Sequence, residues 1–130
     1  MIVDSSALIA MLYKEAGYQR LARALIDSEA LPRIASGNFL EAAIVADGKG
    51  DPVLARRFDD LLDQFDIEVV SFTAELAQIA RQAYRDYGKG SGHPAKLNFG
   101  DCIAYALARS ERKPLLFVGD DFTHTDIEAA

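Results

Sequence analysis

Two hydrophobic rhythms run along this chain. One is a short, unbroken apolar run, and the other places apolar residues every three to four positions. Residues 1–4, 32–35, 67–72 and 115–118 have the first pattern, which predicts short strands covered on both faces. The second predicts helices. Residues 5–13 predict a short one. Tyr18, Leu21, Ala22, Leu25 and Ile26 form the stripe of the next. Phe39, Leu40, Ala43 and Ile44 predict a third helix, with Ser36 as its cap. After the break Gly48-Lys49-Gly50-Asp51-Pro52, a fourth carries Leu54, Phe58, Leu61, Leu62 and Phe65. Thr73 is placed to cap a fifth, with Leu76, Ile79, Ala80, Ala83, Tyr84 and Tyr87 in register. Asn98 is placed to cap a sixth, whose apolar face carries Phe99, Cys102, Ile103, Ala106 and Leu107. Residues 88–96 read as a loop without structure of their own.

Strands alternating with helices imply an α/β fold: a mostly parallel sheet, helices on both faces and right-handed crossovers. In such sheets ligands bind beyond the carboxyl ends of the strands. The length of 130 residues, with no repeat or linker, predicts one domain over 1–130. No apolar run is long enough to predict a membrane span, and Met1-Ile2-Val3-Asp4 lacks the basic start of a secretory signal. Cys102 is the only cysteine, so neither a disulfide framework nor a thiolate metal cluster is expected. These features predict a cytoplasmic protein.

Acids stand where chemistry is expected. Asp4 closes the first strand, with the Ser6 hydroxyl two residues on, and Asp120 and Asp121 follow the last. Glu41 flanks the apolar stripe in the first turns of its helix. Asp101 stands three residues after Asn98, pointing away from the apolar face beside the small Gly100, which leaves room for a ligand or ion to approach. Each has a structural explanation as well. Asp4 suits a helix N-cap, Glu41 a helix dipole, Asn98 and Asp101 a capping box, and the Asp pair a turn. Together, on one sheet edge, they would repel one another without a cation. Hard oxygen ligands of this kind suit Mg²⁺ or Mn²⁺.

The net charge of −6 is the wrong sign for a protein that binds phosphate through Lys and Arg. A bound divalent ion reverses the local sign, so clustered acids and a need for metal resolve the conflict. Lys89 and Lys96, flanking the glycine-rich loop, are the best candidates for substrate contacts. Arg81 and Arg85 recur at helical spacing and read as a solvated face. His93 and His124 have no partners for a zinc site and read as surface residues. Cys102, Tyr84 and Tyr87 read as core.

These residues carry a resemblance. Asp4-Ser5-Ser6-Ala7-Leu8, Glu41 in Asn38-Phe39-Leu40-Glu41, the segment from Asn98-Phe99-Gly100-Asp101 through Ala106, and Gly119-Asp120-Asp121-Phe122 occur in the order found in PIN-domain nucleases. Within that family the chain resembles VapC-type toxins of toxin–antitoxin pairs, over essentially its whole length. The resemblance implies a PIN-like three-layer α/β/α sandwich and a Mg²⁺- or Mn²⁺-dependent ribonuclease. Asp4 and Asp101 would be the principal metal ligands. Glu41 would complete the site, Ser6 would support it, and Asp120 or Asp121 would be the fourth acid, with Asp120 nearer the strand end. It also implies an RNA substrate, a cognate VapB-type antitoxin presenting Arg or Lys to the carboxylates, and a homodimer.

Three other readings compete. A haloacid-dehalogenase-like phosphatase needs a second Asp where Ser6 stands. A receiver domain needs an acidic pair before its phosphorylated Asp and a Lys after a late strand. A binding module that has lost catalysis is opposed by acids at all four motif positions.

Overall fold

The structure is a computed structural model that describes residues 1–130. Its sheet has the order β3-β2-β1-β4, with β1 at Ile2–Val3, β2 at Arg33–Ala35, β3 at Glu68–Val70 and β4 at Leu115–Leu116. All neighbouring strands are parallel. The helices are α1 (Ser5–Leu12), α2 (Tyr18–Ile26), α3 (Ser36–Asp47), α4 (Pro52–Gln64), α5 (Ala74–Tyr87) and α6 (Phe99–Glu111).

Side chains alternate across the sheet and divide the core in two. Ile2, Ala35 and Leu115 point into a cluster shared with α5 and α6. Val3, Ile34 and Leu116 point into the opposite cluster, with α1, α2, α3 and α4. This is the period of two expected of strands, and it produces the three layers. Ile2, Val3, Ile34 and Leu115 are fully buried, and such burial stabilises by about 1.5–3 kcal/mol per side chain. The outer strand β3 is more exposed, with Val69 at 43%, so the apolar run at 67–72 yields only three strand residues at an edge. The free edge of β4 is covered by the C-terminal tail: the Leu115 N–H donates to the Glu128 carbonyl and the Ala130 N–H to that of Leu115, both at 2.9 Å.

Strand order positions the site. The chain steps outward from β1 to β2 to β3, then returns to place β4 on the other side of β1. The reversal between β1 and β4 opens a crevice at their carboxyl ends, where Asp4 and the pair Asp120 and Asp121 follow.

Several local expectations change. Ser36 is the first residue of α3 rather than its cap, and Ala35 precedes it with no side-chain bond. The Ser36 hydroxyl instead accepts the Phe72 N–H at 3.1 Å, tying α3 to the segment after β3. Helix α6 is buried from Gly100 to Ala108, because the sheet, α5 and α3 enclose it. Its first residue lies outside that enclosure, so Phe99 is 80% exposed rather than core. Tyr84 is also outside the core, 47% exposed, and its hydroxyl donates to the Lys89 carbonyl at 3.0 Å.

The two clusters make a stability contrast measurable. Leu8→Ala, at a fully buried site, should cost about 2–5 kcal/mol in urea unfolding. Ile44→Ala, 61% exposed on α3, should change stability by no more than about 0.5 kcal/mol. Equal effects would contradict this division of the core.

Candidate active site

Asp4 leaves β1 with its N–H still in the ladder, donating to the Leu116 carbonyl at 2.9 Å. Its side chain then caps α1. The Ser6 N–H and hydroxyl both donate to Asp4 Oδ2, at 3.0 and 2.5 Å. The Ser6 oxygen in turn accepts the Val118 N–H at 3.1 Å, so this serine joins Asp4 to the chain leaving β4. Asp4 is only 3% exposed, and its Oδ1 is buried with no partner. Burial pushes its carboxyl above the usual range. The Ser6 bonds oppose that rise, and the charge of Glu41 adds to it.

Asp101 and Asn98 form a complete capping box. The Asp101 N–H donates to Asn98 Oδ1 at 2.9 Å, and the Asn98 N–H to Asp101 Oδ2 at 3.0 Å. Although it stands off the apolar stripe, Asp101 is buried, because α6 is enclosed on nearly all sides. Burial raises its carboxyl to about 6. The Asn98 N–H resists this, while the charges of Asp4, Asp121 and Glu41 add to it. The structural and chemical readings of Asp101 therefore hold together: the cap uses Oδ2, and no protein group bonds Oδ1.

Glu41 extends from α3 to meet them. The Ser5 hydroxyl donates to its Oε1. A Cβ on Gly100 would lie 2.5 Å from Glu41 Oε2 and 2.9 Å from Oε1. The room expected beside Gly100 is thus occupied by the Glu41 carboxylate. One turn earlier on α3, fully buried Asn38 donates from Nδ2 to the Gly100 carbonyl at 2.9 Å, and its Oδ1 has no partner. Asn38 and Ser5 received no role from sequence reasoning. The available signal was Asn38 itself, a polar residue one turn before Glu41 on the same helical side.

The acids after β4 differ from each other. Asp120 serves a turn, its carbonyl accepting the Thr123 N–H at 3.1 Å and hydroxyl at 2.6 Å. Both carboxylates are exposed, but the charge felt at Asp101 is that of Asp121. Asp4, Glu41, Asp101 and Asp121 thus share one electrostatic neighbourhood, in which Ser6 holds Asp4. His93 is not a free surface residue. Its Nδ1 accepts the Ala95 N–H at 3.1 Å and its ring stands edge-on to Tyr87, ordering the 88–96 loop. Cys102 is buried, and its thiol is pushed up to about 11 by burial and by Asp101, which keeps it unreactive.

No three acidic, histidine or cysteine side chains form a closed metal cage. A small hard cation does not need one, since Mg²⁺ keeps several waters and takes one or two carboxylates. The unpartnered Asp4 Oδ1 and the mutual repulsion of the carboxyl groups fit such an ion.

The raised Asp101 carboxyl fixes a pH effect. A group whose folded value lies above its unfolded one holds its proton more tightly when folded. Its ionisation therefore costs the fold little below about 4, and that cost grows until the pH passes about 6. Asp101→Asn keeps a side-chain oxygen for the cap. Without divalent ions it should melt about 3–6 °C above the parent at pH 7. Near pH 4 the two should melt together. Equal differences at both pH values would contradict a raised carboxyl.

Comparison with known proteins agrees with this geometry. The PIN domain family profile matches residues 1–128. Ribonuclease VapC42 of Mycobacterium tuberculosis is 48% identical over 130 residues, covering 100% of this chain and 98% of that protein. VapC ribonuclease Mb0625 of Mycobacterium bovis is 46% identical over 130 residues, covering 100% and 97%. Among solved structures, Mycobacterium tuberculosis VapC20, described as a sarcin-ricin loop cleaving toxin, superposes with a TM-score of 0.76 at 15% identity, covering 99% of this chain and 97% of that one. A toxin–antitoxin complex from Klebsiella pneumoniae gives 0.72 at 18% identity, covering 96% and 92%. With a parallel sheet between two helical layers, acids gathered at its switch point and full-length relatives at this identity, the chain belongs to the PIN-domain family and, within it, to the VapC ribonucleases.

Proposed function

We propose that this protein is a VapC-type toxin, a metal-dependent endoribonuclease whose site consists of Asp4, Glu41, Asp101 and Asp121, with Ser6 in support. The observation that carries this reading is the buried, unpartnered Oδ1 of Asp4 in a neighbourhood where the charge of Glu41 adds to the rise at Asp4, and those of Asp4, Asp121 and Glu41 to the rise at Asp101. An uncompensated polar atom of this kind costs about 1–3 kcal/mol, and a cation removes that cost. The names of its full-length relatives support ribonuclease activity.

Asp4 and Asp101 would hold the ion, Mg²⁺ or Mn²⁺. When bound, it supplies a water of lowered pKa and positive charge against the phosphate oxyanion. The protein provides the positioning. Ser6 occupies Asp4 Oδ2, and Asn98 occupies Asp101 Oδ2, so each carboxylate would have its other oxygen available to hold the ion. Ser5 pins Glu41 through Oε1, which leaves Oε2 to take the proton of the attacking water. Asp121, on the exposed lip, orients that water. The water attacks phosphorus, the bond to the leaving ribose oxygen breaks, and that oxygen takes up a proton from solvent water. No protein side chain becomes covalently attached.

The partners follow from the same site. An antitoxin would place Arg or Lys among the carboxylates, satisfying them as the ion does. That relation is supported by the toxin–antitoxin complex among the structural neighbours. The working form would be a homodimer of single-domain chains over 1–130 acting in the cytoplasm. No helix is long and apolar enough to cross a membrane.

Asp4→Asn and Asp101→Asn should each reduce cleavage of a structured RNA by about 10³-fold or more while leaving the circular dichroism spectrum intact, and EDTA should do the same to the parent. Retained cleavage in either variant would sink the proposed site. Mn²⁺ should raise the melting temperature of the parent but not that of Asp4→Asn. Gly100→Ala forces the Glu41 carboxylate from its place, and should lower kcat at least about tenfold with little loss of stability. An unchanged kcat would remove Glu41 from the mechanism.

A further inference from the structure

A groove of about 740 Å³ lies between α5 and the start of α6. Its walls are apolar, with Phe72 and Ile103 inside and the rings of Tyr84 and Phe99 at its mouth. Arg81, Arg85 and Lys89 line it, and no acid does. None of these three cations is in an ion pair. In a chain of net charge −6, three unpaired cations beside two exposed rings form a local reversal of sign. The groove also adjoins the carboxylates. Asn98 and Cys102 belong to its lining, and Asp101 lies between them on the same helix.

On the reading of the protein as a ribonuclease, we propose that this groove is its single-stranded RNA subsite, where Phe99 and Tyr84 stack an unpaired base beside the scissile phosphate and Arg81, Arg85 and Lys89 hold the flanking phosphates. The chemistry favours RNA as the occupant. A strand whose phosphate enters an acidic cluster must pass over a surface of opposite sign to remain bound, and this groove adjoins the cluster. Exposed aromatic rings accept any base face, and cations beside them take the backbone, the usual combination for single strands. Phe99 is 80% exposed at the first position of α6, where an apolar ring contributes nothing to the core. Arg81 and Arg85, four residues apart on α5, lie on the same helical side as Tyr84.

The test measures binding apart from cleavage. A fluorescein-labelled single-stranded RNA of about twelve nucleotides is titrated into Asp101→Asn protein, and anisotropy is read at several salt concentrations. Adding Phe99→Ala should weaken binding about tenfold, and the penalty should vanish against an abasic oligonucleotide of the same length. Adding Arg81→Ala with Arg85→Ala should reduce the salt slope by about 1.4. Because Phe99 is exposed, its truncation should leave the melting temperature unchanged. Light scattering on the same samples should show one oligomeric state throughout. Unchanged RNA affinity in the groove variants of a protein whose parent cleaves RNA would overturn the subsite and leave the nuclease reading standing. Loss of affinity only together with dissociation of the protein would also overturn it, by assigning the groove to a second copy of the chain. A parent that neither binds nor cleaves RNA in the presence of Mn²⁺ would overturn both readings.

Discussion

The molecule is organised around carboxylates held close together at the carboxyl end of the sheet, with no protein cation among them. Asp4 and Asp101 are both buried, and burial raises both carboxyls. Two features make this arrangement tolerable. Each acid stands at the beginning of a helix, where unpaired N–H groups and the helix dipole favour negative charge. Each also has one oxygen occupied by a local donor, Ser6 for Asp4 and the Asn98 backbone for Asp101. The remaining strain is electrostatic, and a divalent cation relieves it. Stability and chemistry therefore oppose each other in the metal-free protein and act together when an ion is bound.

Helix α6 carries much of this. It is buried from Gly100 to Ala108, and the three buried alanines of that stretch, Ala104, Ala106 and Ala108, with Gly100 at its head, let the sheet, α5 and α3 approach closely. Asn38 joins α3 to the same point by bonding the Gly100 carbonyl, between Glu41 and Asp101. Small residues here serve two purposes. They fill the core at short distance, and Gly100 leaves the space that the Glu41 carboxylate occupies.

The charge distribution gives meaning to a net charge that otherwise looks unfavourable. The acids gather at the switch point, and unpaired cations line the groove between α5 and α6. The full-length relatives at 46 to 48% identity establish the family. The solved structures at 15 and 18% identity establish the fold. The arrangement of carboxylates and cations comes from this chain's own residues.

The order of strands and helices was legible in the sequence because short apolar runs and helical stripes are local patterns, and local backbone preferences follow them. The caps at Thr73 and Asn98 were legible for the same reason, since a capping bond spans three residues. Asp4, Glu41 and Asp101 could be singled out as acids near helix starts and strand ends. Their clustering was expected from the strand ends and helix starts they occupy, but which oxygens are occupied and which are free was not, because that depends on β4 returning beside β1 and on α3 packing against α6. Ser36 was misread because its partner, the Phe72 N–H, is distant in the chain. Phe99 and Tyr84 were placed in the core because periodicity records which side of a helix a residue occupies, and not where the neighbouring elements end. The sequence left Asp120 and Asp121 open, because which of two adjacent acids has its charge felt at Asp101 depends on how the chain turns after β4. Sequence determined the elements and the kinds of chemistry available, because those depend on neighbouring residues. Tertiary structure decided which acids share a field, which rings face solvent and where the cations collect, because each depends on distances between segments far apart in the chain.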